Sequence, residues 1–556
     1  MVTLTAFQTP FGIKFLNTLS TGDDYWIAWF DTDEYQFGSS GNDTMFGAGG
    51  DDWLAGGTGN DDIYGGAGTD NLFGGSGNDK LIGGSGLDQL YGGDGHDLLI
   101  NSRANPVMSI AAVSDIIFDL GGFMDGGSGN DTFRVDVFFN GQLAIDGGAD
   151  ADTIDFSQQT NDWPSAPPSG LPTNLLDLES LIGETPLGGL LTVTRVENII
   201  GGEYRDEFYG NDGINSLRGL TNADVLEGRG GADTLDGGLG HDVAQYRSAA
   251  SGVEVDMARI TQTLLTVRDG VTVSNGDAAG DRLVSIEELR GSIFADILRG
   301  KSGGGLPSNE ALYGDGGNDL LEGRYGADIL DGGAGFDFAS YQSSSAAVNV
   351  SIPRLGYANA QFGDAAGDTL LNIEALIGSS YSDTLIGNND RNELRGGNGG
   401  DLLSGLGGND TLKGGAGIDS IAGGAGRDVM YGEAGADSFT FFSVLDSNGT
   451  FKQRDLIQDF TRDILRPTGL VLGDTIDLSA IDANQRAGTT GNQAFNFIGG
   501  EGFSEAGQVR VTSGLDASGR MFNIVQVEVT GDKVVDFSVS IYTTNNTLLS
   551  VSDFLL

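Results

Sequence analysis

The 556-residue chain has no cysteine, so no disulfide staples it and no thiolate holds a metal. It has two histidines, His96 and His241, too few for a catalytic zinc site with three histidine ligands. Positive charge is scarce: 29 lysines and arginines stand against 79 aspartates and glutamates, a formal net charge of −50. So acidic a surface argues against nucleic acid, which binds cationic surface, and against adsorption to anionic membranes. No apolar run approaches the length of about eighteen residues that spans a bilayer. Residues 1–20 lack a charged stretch followed by an apolar core, so no Sec signal peptide is predicted there.

What the chain has in excess is glycine, 94 residues of 556, more than twice the usual share of about 7 %. The glycines fall into a nine-residue unit, Gly-Gly-x-Gly-x-Asp-x-U-x, with U a large apolar residue. From residue 38 to 100 the unit runs seven times without a break. Its aspartates are Asp43, Asp52, Asp61, Asp70, Asp79, Asp88 and Asp97, and its apolar positions are Met45, Leu54, Ile63, Leu72, Leu81, Leu90 and Leu99. A disordered Gly/Asp-rich linker would share the composition, but it has no reason to hold an apolar residue at a fixed phase.

Six residues of the unit read as loop and three as strand. In the strand, side chains alternate faces, so U points inward. Two units then make one turn of a flattened coil with parallel strands on two sides. Asp43, Asp61, Asp79 and Asp97 fall on one side; Asp52, Asp70 and Asp88 fall on the other. Carboxylates in turns stacked about 4.8 Å apart repel by roughly 3–4 kcal/mol at an effective dielectric near 20. A divalent cation between loops reverses that repulsion. The donors on offer are carboxylates and loop carbonyls, the hard oxygen set that calcium takes six to eight at a time and magnesium does not.

The unit resembles the RTX family of secreted calcium-binding repeats. The resemblance implies an all-β fold of tandem parallel β-rolls, a right-handed β-helix of nonapeptides, with multiple Ca2+ ions held by the unit aspartates. Isolated units at 126–134 and 147–155 add Asp131 and Asp152. A second run, 201–245, carries Asp206, Asn215, Asp224, Asp233 and Asp242. A third, 314–340, carries Asp319, Asp328 and Asp337, and a fourth, 378–440, carries Asp383, Asn392, Asp401, Asp410, Asp419, Asp428 and Asp437. Asn215 and Asn392 lack the charge and predict weaker sites.

The implied organisation is an N-terminal cap (1–37), roll 1 (38–100) and a β-rich segment with degenerate repeats (101–200). Roll 2 (201–245), a spacer (246–290), roll 3 (291–340), a spacer (341–377) and roll 4 (378–440) follow, and a β-rich C-terminal domain (441–556) closes the chain. The cap is aromatic, with Tyr25, Trp26, Trp29, Phe30, Tyr35 and Phe37; it reads as an apolar lid on the coil or as a carbohydrate platform. A longer repeat overlies the short one. Ile286-Glu287-Glu288-Leu289 recurs as Ile373-Glu374-Ala375-Leu376, with a diverged copy at Val196-Glu197-Asn198-Ile199. Gly276–Asp281 recurs as Gly363–Asp368. The strands at Val253–Met257 and Val348–Ile352 are predicted to be side excursions from the coil.

In the last segment, Asp455 to Phe460, Asp474 to Ser479, Ala494 to Gly499 and Phe503 to Gln508 together resemble the C-terminal domain of the serralysin family of secreted metalloproteases. The ending Asp553-Phe554-Leu555-Leu556 resembles that family's type I secretion signal and also reads as a terminal strand. The resemblance implies a type I exporter as partner and an extracellular or cell-surface location. It does not carry protease activity, because the zinc motif is missing; the two histidines sit at the variable fifth position of a unit, where Asn42, Asn60 and Asn78 also stand. Gly300-Lys301-Ser302-Gly303-Gly304 matches Gly-x-Ser-x-Gly but lies in a glycine-rich loop without the strand–turn–helix context of a nucleophile elbow. No Walker loop is present, since Ala295 stands where its first glycine belongs. Two readings follow: a secreted, non-catalytic calcium-binding protein of a surface layer, matrix or adhesive coat, or an enzyme acting on polysaccharide from residues 101–200. Surface or matrix polysaccharide is the partner class in either.

Overall fold

The computed structural model describes residues 3–9, 12–18, 21–27, 33–101, 121–135, 142–157, 174–179, 182–184, 190–259, 267–268, 271–272, 276–302, 309–353, 362–447, 454–462, 464–466, 469–471, 473–483 and 493–556. Their regular structure is strand, with three 3-10 turns at Gly276–Ala278, Gly363–Ala365 and Val551–Asp553 and no α-helix among them. No helix there is long and apolar enough to cross a membrane. The chain divides into two units. One holds residues 1–250, 259–264 and 275–288; the other holds 251–258, 265–274 and 289–556.

The first unit is a coil of parallel strands on two faces. The apolar position of each nonapeptide stacks on that of the turn before: Met45 on Ile63, Ile63 on Leu81, and Leu81 on Leu99. The opposite face stacks Leu54 on Leu72 and Leu72 on Leu90. These seven side chains are at most 2 % exposed, so the period of nine is the period of the core. The coil continues beyond residue 101, with Leu99 on Phe133, Phe133 on Ile154 and Ile154 on Ile199. It then runs on through Leu217 and Leu235 to Leu283.

Ahead of the first repeat, Thr3–Thr9 and Gly12–Thr18 form an antiparallel pair, and the second of them pairs in parallel with Tyr35–Ser40. On the outer faces of roll 1, rings stack turn upon turn. Tyr35, Trp53, Phe73 and Tyr91 have successive centroids 6.5, 4.9 and 4.8 Å apart, and Phe46 stacks on Tyr64 at 4.5 Å. The rings turn their faces to one another, which leaves mainly edges for a sugar. Trp29 and Phe30 lie outside the described residues.

The second unit repeats the design. Ile297–Arg299, Leu320–Glu322, Phe338–Ser340, Ala375–Ile377 and Glu393–Asn398 stack in parallel on one sheet, and the sheet continues through Thr411–Gly417 and Val429–Gly435 to Asp455–Phe460. The two strands expected as excursions belong to the coil: Glu254–Asp256 pairs with Ile297–Arg299, and Asn349–Ser351 with Thr384–Ile386. Each supplies the hydrogen-bonding edge on which the next turn is laid. After Asp455–Phe460 the topology changes to an antiparallel meander of Phe537–Thr543, Met521–Glu528 and Gln508–Leu515. The last strand, Phe554–Leu555, pairs with Thr475–Asp477. Asp553 is 2 % exposed and its Oδ2 accepts from Arg462 Nε at 2.8 Å.

Candidate calcium sites

Each unit aspartate holds a rung of a ladder along the coil. The N–H of Asp43 donates to Oδ1 of Asp61 at 2.7 Å, Asp61 to Asp79 at 2.8 Å, and Asp79 to Asp97 at 2.7 Å. On the other side, Asp52 donates to Asp70 and Asp70 to Asp88, both at 2.9 Å. One carboxylate oxygen is thus spent on the backbone of the previous turn. The other, Oδ2, is buried and has no hydrogen-bond partner in Asp43, Asp52, Asp61, Asp70, Asp79 and Asp97.

These free oxygens point at a built space. A Cβ placed on Gly56 would overlap Oδ2 of Asp61 and the carbonyl of Gly74, and one on Gly65 would overlap Oδ2 of Asp70 and the carbonyl of Gly83. The first glycine of the unit is therefore required by crowding, because a carboxylate and the carbonyl of the next turn converge beside its Cα. The second is favoured by backbone: Gly57 has φ +114°, which glycine adopts most readily, although Ser39 (79°) and Leu220 (75°) hold a left-handed turn at the same position.

The electrostatics are those of a site built for a cation. Asp52 is pushed up to about 8, chiefly by burial, against the lowering bond from the Glu34 N–H, with the Asp70 charge adding to the rise. Asp319 is pushed to about 9 by burial first, then by Asp296 and Asp337. Asp224 and Asp410 reach about 8, again chiefly by burial. Burying unpaired carboxylates costs several kcal/mol each unless an opposite charge joins them. No three acidic, histidine or cysteine side chains converge as a ligand group among the described residues. The donor set is thus carboxylate oxygen plus loop carbonyl, which suits calcium: six to eight hard oxygens in loose geometry. The unit aspartates would hold it, and bound calcium supplies the charge that offsets the stacked carboxylates.

Most of the predicted ligands share this arrangement. Asp131, Asp152, Asp224, Asp233, Asp242, Asp319, Asp328 and Asp337 each keep an unpartnered, buried Oδ2, as do Asp401, Asp410, Asp419, Asp428 and Asp437. Three differ. Oδ2 of Asp206 accepts from the N–H of Gly202 at 2.8 Å. Oδ2 of Asp383 accepts from the N–H and Oγ of Ser379. Asp88 is 8 % exposed and accepts the Asp70 N–H through Oδ1.

Other rungs lie outside the nonapeptide pattern. Asp368 and Asp455 accept from the N–H groups of Asp328 and Asp428 at 2.9 and 2.8 Å, and each keeps an unpartnered Oδ2. Glu197, Glu287 and Glu374 receive the N–H groups of Asp152, Asp242 and Asp337 at 2.9, 3.1 and 3.0 Å. Asp281 receives that of Asp233 at 2.9 Å. Their signal in the sequence is the long repeat: the three glutamates are its Val-Glu and Ile-Glu pairs, and Asp281 and Asp368 end its Gly-Asp-Ala-Ala-Gly-Asp copies.

His96 sits in a second, exposed ladder at the fifth position. Asn60 donates its N–H to Oδ1 of Asn42, Asn78 to Asn60, and His96 to Asn78 at 2.8, 2.8 and 3.0 Å; Asn130 then donates to Nδ1 of His96 at 2.8 Å. His96 thus stands in for an asparagine acceptor. His241 Nε2 lies 3.3 Å from Glu288 Oε2.

The family description "RTX calcium-binding nonapeptide repeat (4 copies)" matches residues 37–72, 64–99, 209–244, 304–339, 377–412 and 404–439. These segments are RTX repeats. Their family binds calcium, so the implied cofactor is several Ca2+ ions. Solved structures similar to the RTX coil include two repeat subunits of the Azotobacter vinelandii mannuronan C5-epimerase. The AlgE6R3 subunit is 24 % identical, with 32 % of this chain and 78 % of that one covered and a TM-score of 0.14. The AlgE6R2 subunit is 29 % identical, with 32 % and 90 % covered and a TM-score of 0.16. Scores so low carry no argument about the rest of the chain. No curated protein matches it.

Proposed function

We propose that this is a secreted protein that folds on meeting extracellular calcium and works without catalysis in a surface layer, matrix or adhesive coat. The observation that supports this reading is the ladder of buried carboxylates, most of them with one oxygen left without a partner. Without an ion, like charges fill the coil; with millimolar calcium they become ligands, and binding to the native state alone stabilises it. Far-UV circular dichroism in excess EGTA and in millimolar calcium tests the reading, and identical spectra would end it. We assign export to a type I exporter from the serralysin-like motifs between Asp455 and Gln508 and the acidic-hydrophobic ending.

One feature favours an enzyme acting on polysaccharide, at a place other than the residues 101–200 expected from the sequence. The second unit holds a cavity of about 560 Å3 lined by Ser302, Arg324, Tyr325, Ser343 and Asp364 among others. Arg324 is fixed by Asp256 through two bonds of 2.7 and 2.9 Å, and burial raises the Asp364 carboxyl. Hydroxyls, an acid and an aromatic ring are the groups that hold sugars. Turnover of polysaccharides by the calcium-loaded chain, lost in Asp364→Asn, would move the assignment to an enzyme.

A further inference from the structure

The rungs fall into two kinds, and the backbone of the unit's second residue separates them. Where that residue has positive φ, as Ser39 (79°), Gly57 (114°), Leu220 (75°), Arg324 (69°) and Leu406 (70°) do, the rung aspartate keeps a buried Oδ2 without a partner. Among the described units with a left-handed second residue, Asp88 alone departs from this. In roll 1 the left-handed second residue stays in the strand pairing along the coil, Ser39 with Gly57 and Gly57 with Gly75. The rung Oδ2 accepts no hydrogen bond from its N–H.

Five units of nonapeptide spacing lack the positive φ: those with Gly202, Asn211, Ser292, Ser379 and Asn388 in second place. In each, the second residue's N–H points inward and donates to the rung side chain of its own unit. The acceptors are Asp206, Asn215, Asp296, Asp383 and Asn392, and none retains a free oxygen. Ser292 and Ser379 add their Oγ to the same carboxylate. The two asparagines also donate Nδ2 to the carbonyls of Glu197 and Glu374, at 3.0 and 3.1 Å, so both ends of the amide are satisfied. All five follow a spacer: 206 and 215 open roll 2, 296 opens roll 3, and 383 and 392 open roll 4.

We propose that these five are calcium-free starter turns, in which the inward N–H stands where the cation stands in later turns. The partial positive charge of an N–H satisfies a carboxylate and opposes a divalent ion at the same oxygen. Calcium loading then begins one turn further along each column, at Asp224 and Asp233, Asp319, and Asp401 and Asp410. Each roll opens on a turn that closes without an ion and offers a finished edge to the first turn that needs one. The assignment rests on the calcium reading of the repeats and removes Asp206 and Asp383 from the ligand set.

The test is the calcium stoichiometry of the full chain, by equilibrium dialysis with radioactive calcium. Asp401→Asn, with a left-handed Gly397 in its unit, is expected to lose at least one ion per chain. Asp383→Asn, its neighbour in the same column, is expected to lose none. The double variant Asn388→Gly/Asn392→Asp, which restores the ordinary unit, is expected to gain one. Should Asp401→Asn misfold, Asp419→Asn in the same column takes its place. Equal losses from Asp383→Asn and Asp401→Asn, or an unchanged count in a folded double variant, would overturn the starter turns while leaving calcium binding intact. A wild-type chain that bound no calcium would overturn the calcium reading itself.

Discussion

Oδ1 of Asp79 accepts the N–H of Asp61 at 2.8 Å, eighteen residues back, while Oδ2 of the same carboxylate is buried without a partner. One oxygen is structural and the other is left for a ligand. Repeated along the coil, that division of labour makes the ion-free protein sensitive to pH in a stated direction. Folded carboxyls such as Asp79 and Asp401 (about 7) and Asp52 and Asp410 (about 8) lie above the ordinary value of 3.8. The folded coil therefore binds protons more tightly than the unfolded chain, and its ion-free stability is present below pH 3.8 and lost as pH rises through about 7 to 8. In EGTA, the strand signal in circular dichroism is expected to be larger at pH 5 than at pH 8. The opposite order would show that the carboxylates are not buried together.

Stoichiometry and selectivity follow from the donor set. With 21 aspartates keeping a free Oδ2 among the described residues, calcium should bind in a count well above two per chain. Magnesium, which demands near-octahedral geometry and holds its water, should not restore the fold in EGTA-treated protein. Isothermal titration with each ion decides both points.

Glycine at the first position of the unit should be intolerant of even one carbon. Gly56→Ala would press a Cβ onto Oδ2 of Asp61 and the carbonyl of Gly74, whereas Gly22→Ala meets nothing within 4 Å. A loss of about 1–3 kcal/mol is expected for the first and close to none for the second. Thermal unfolding in saturating calcium compares them.

Gln36 occupies the inward position above Leu54. It is 0 % exposed, and neither atom of its amide has a partner. Gln36→Leu should raise stability by about 1–2 kcal/mol by removing the unpaired amide. A lowered melting temperature would contradict it.

The chain's end has a packing role that its resemblance to a secretion signal does not reveal. Asp553 is bound by Arg462, and the ring of Phe554 lies 5.5 Å from that of Phe497. Deleting residues 553–556 should therefore both reduce export through a type I exporter and lower the melting temperature of purified protein. Arg462→Ala, which leaves the tail in place, should lower stability by about 1–3 kcal/mol, since the pair is partly exposed, and leave export unchanged. Supernatant and pellet amounts, with melting curves, separate the two roles.

The core of roll 1 was readable because Met45 through Leu99 recur at a fixed phase and burial demands that phase. The regular rung aspartates were readable for the same reason. Asp455, Asp368 and the glutamates at 197, 287 and 374 fall outside the count of nine, because the chain between rungs varies in length there, and for all but Asp455 the long repeat is the one signal that marks them. The starter turns were hidden in a backbone sign. Glycine stands in second place in both kinds of unit, Gly202 with an inward N–H and Gly57 with a left-handed turn. The sequence cannot state which way a glycine bends. Val253–Met257 and Val348–Ile352 read as excursions because no nonapeptide surrounds them, yet Val253 and Val348 donate to Asp296 and Asp383 as any rung does.

The rungs close over any length of intervening chain. Asp97 reaches Asp131 across 34 residues, Asp131 reaches Asp152 across 21, and Asp233 reaches Asp281 across 48, with hydrogen bonds of 2.8 to 2.9 Å throughout. Each turn answers only to the turn beside it, so the coil behaves as a spool. New sequence spliced between two rungs is paid out as a loop, and the windings on either side keep their register. Such a scaffold can acquire cargo without relearning how to fold.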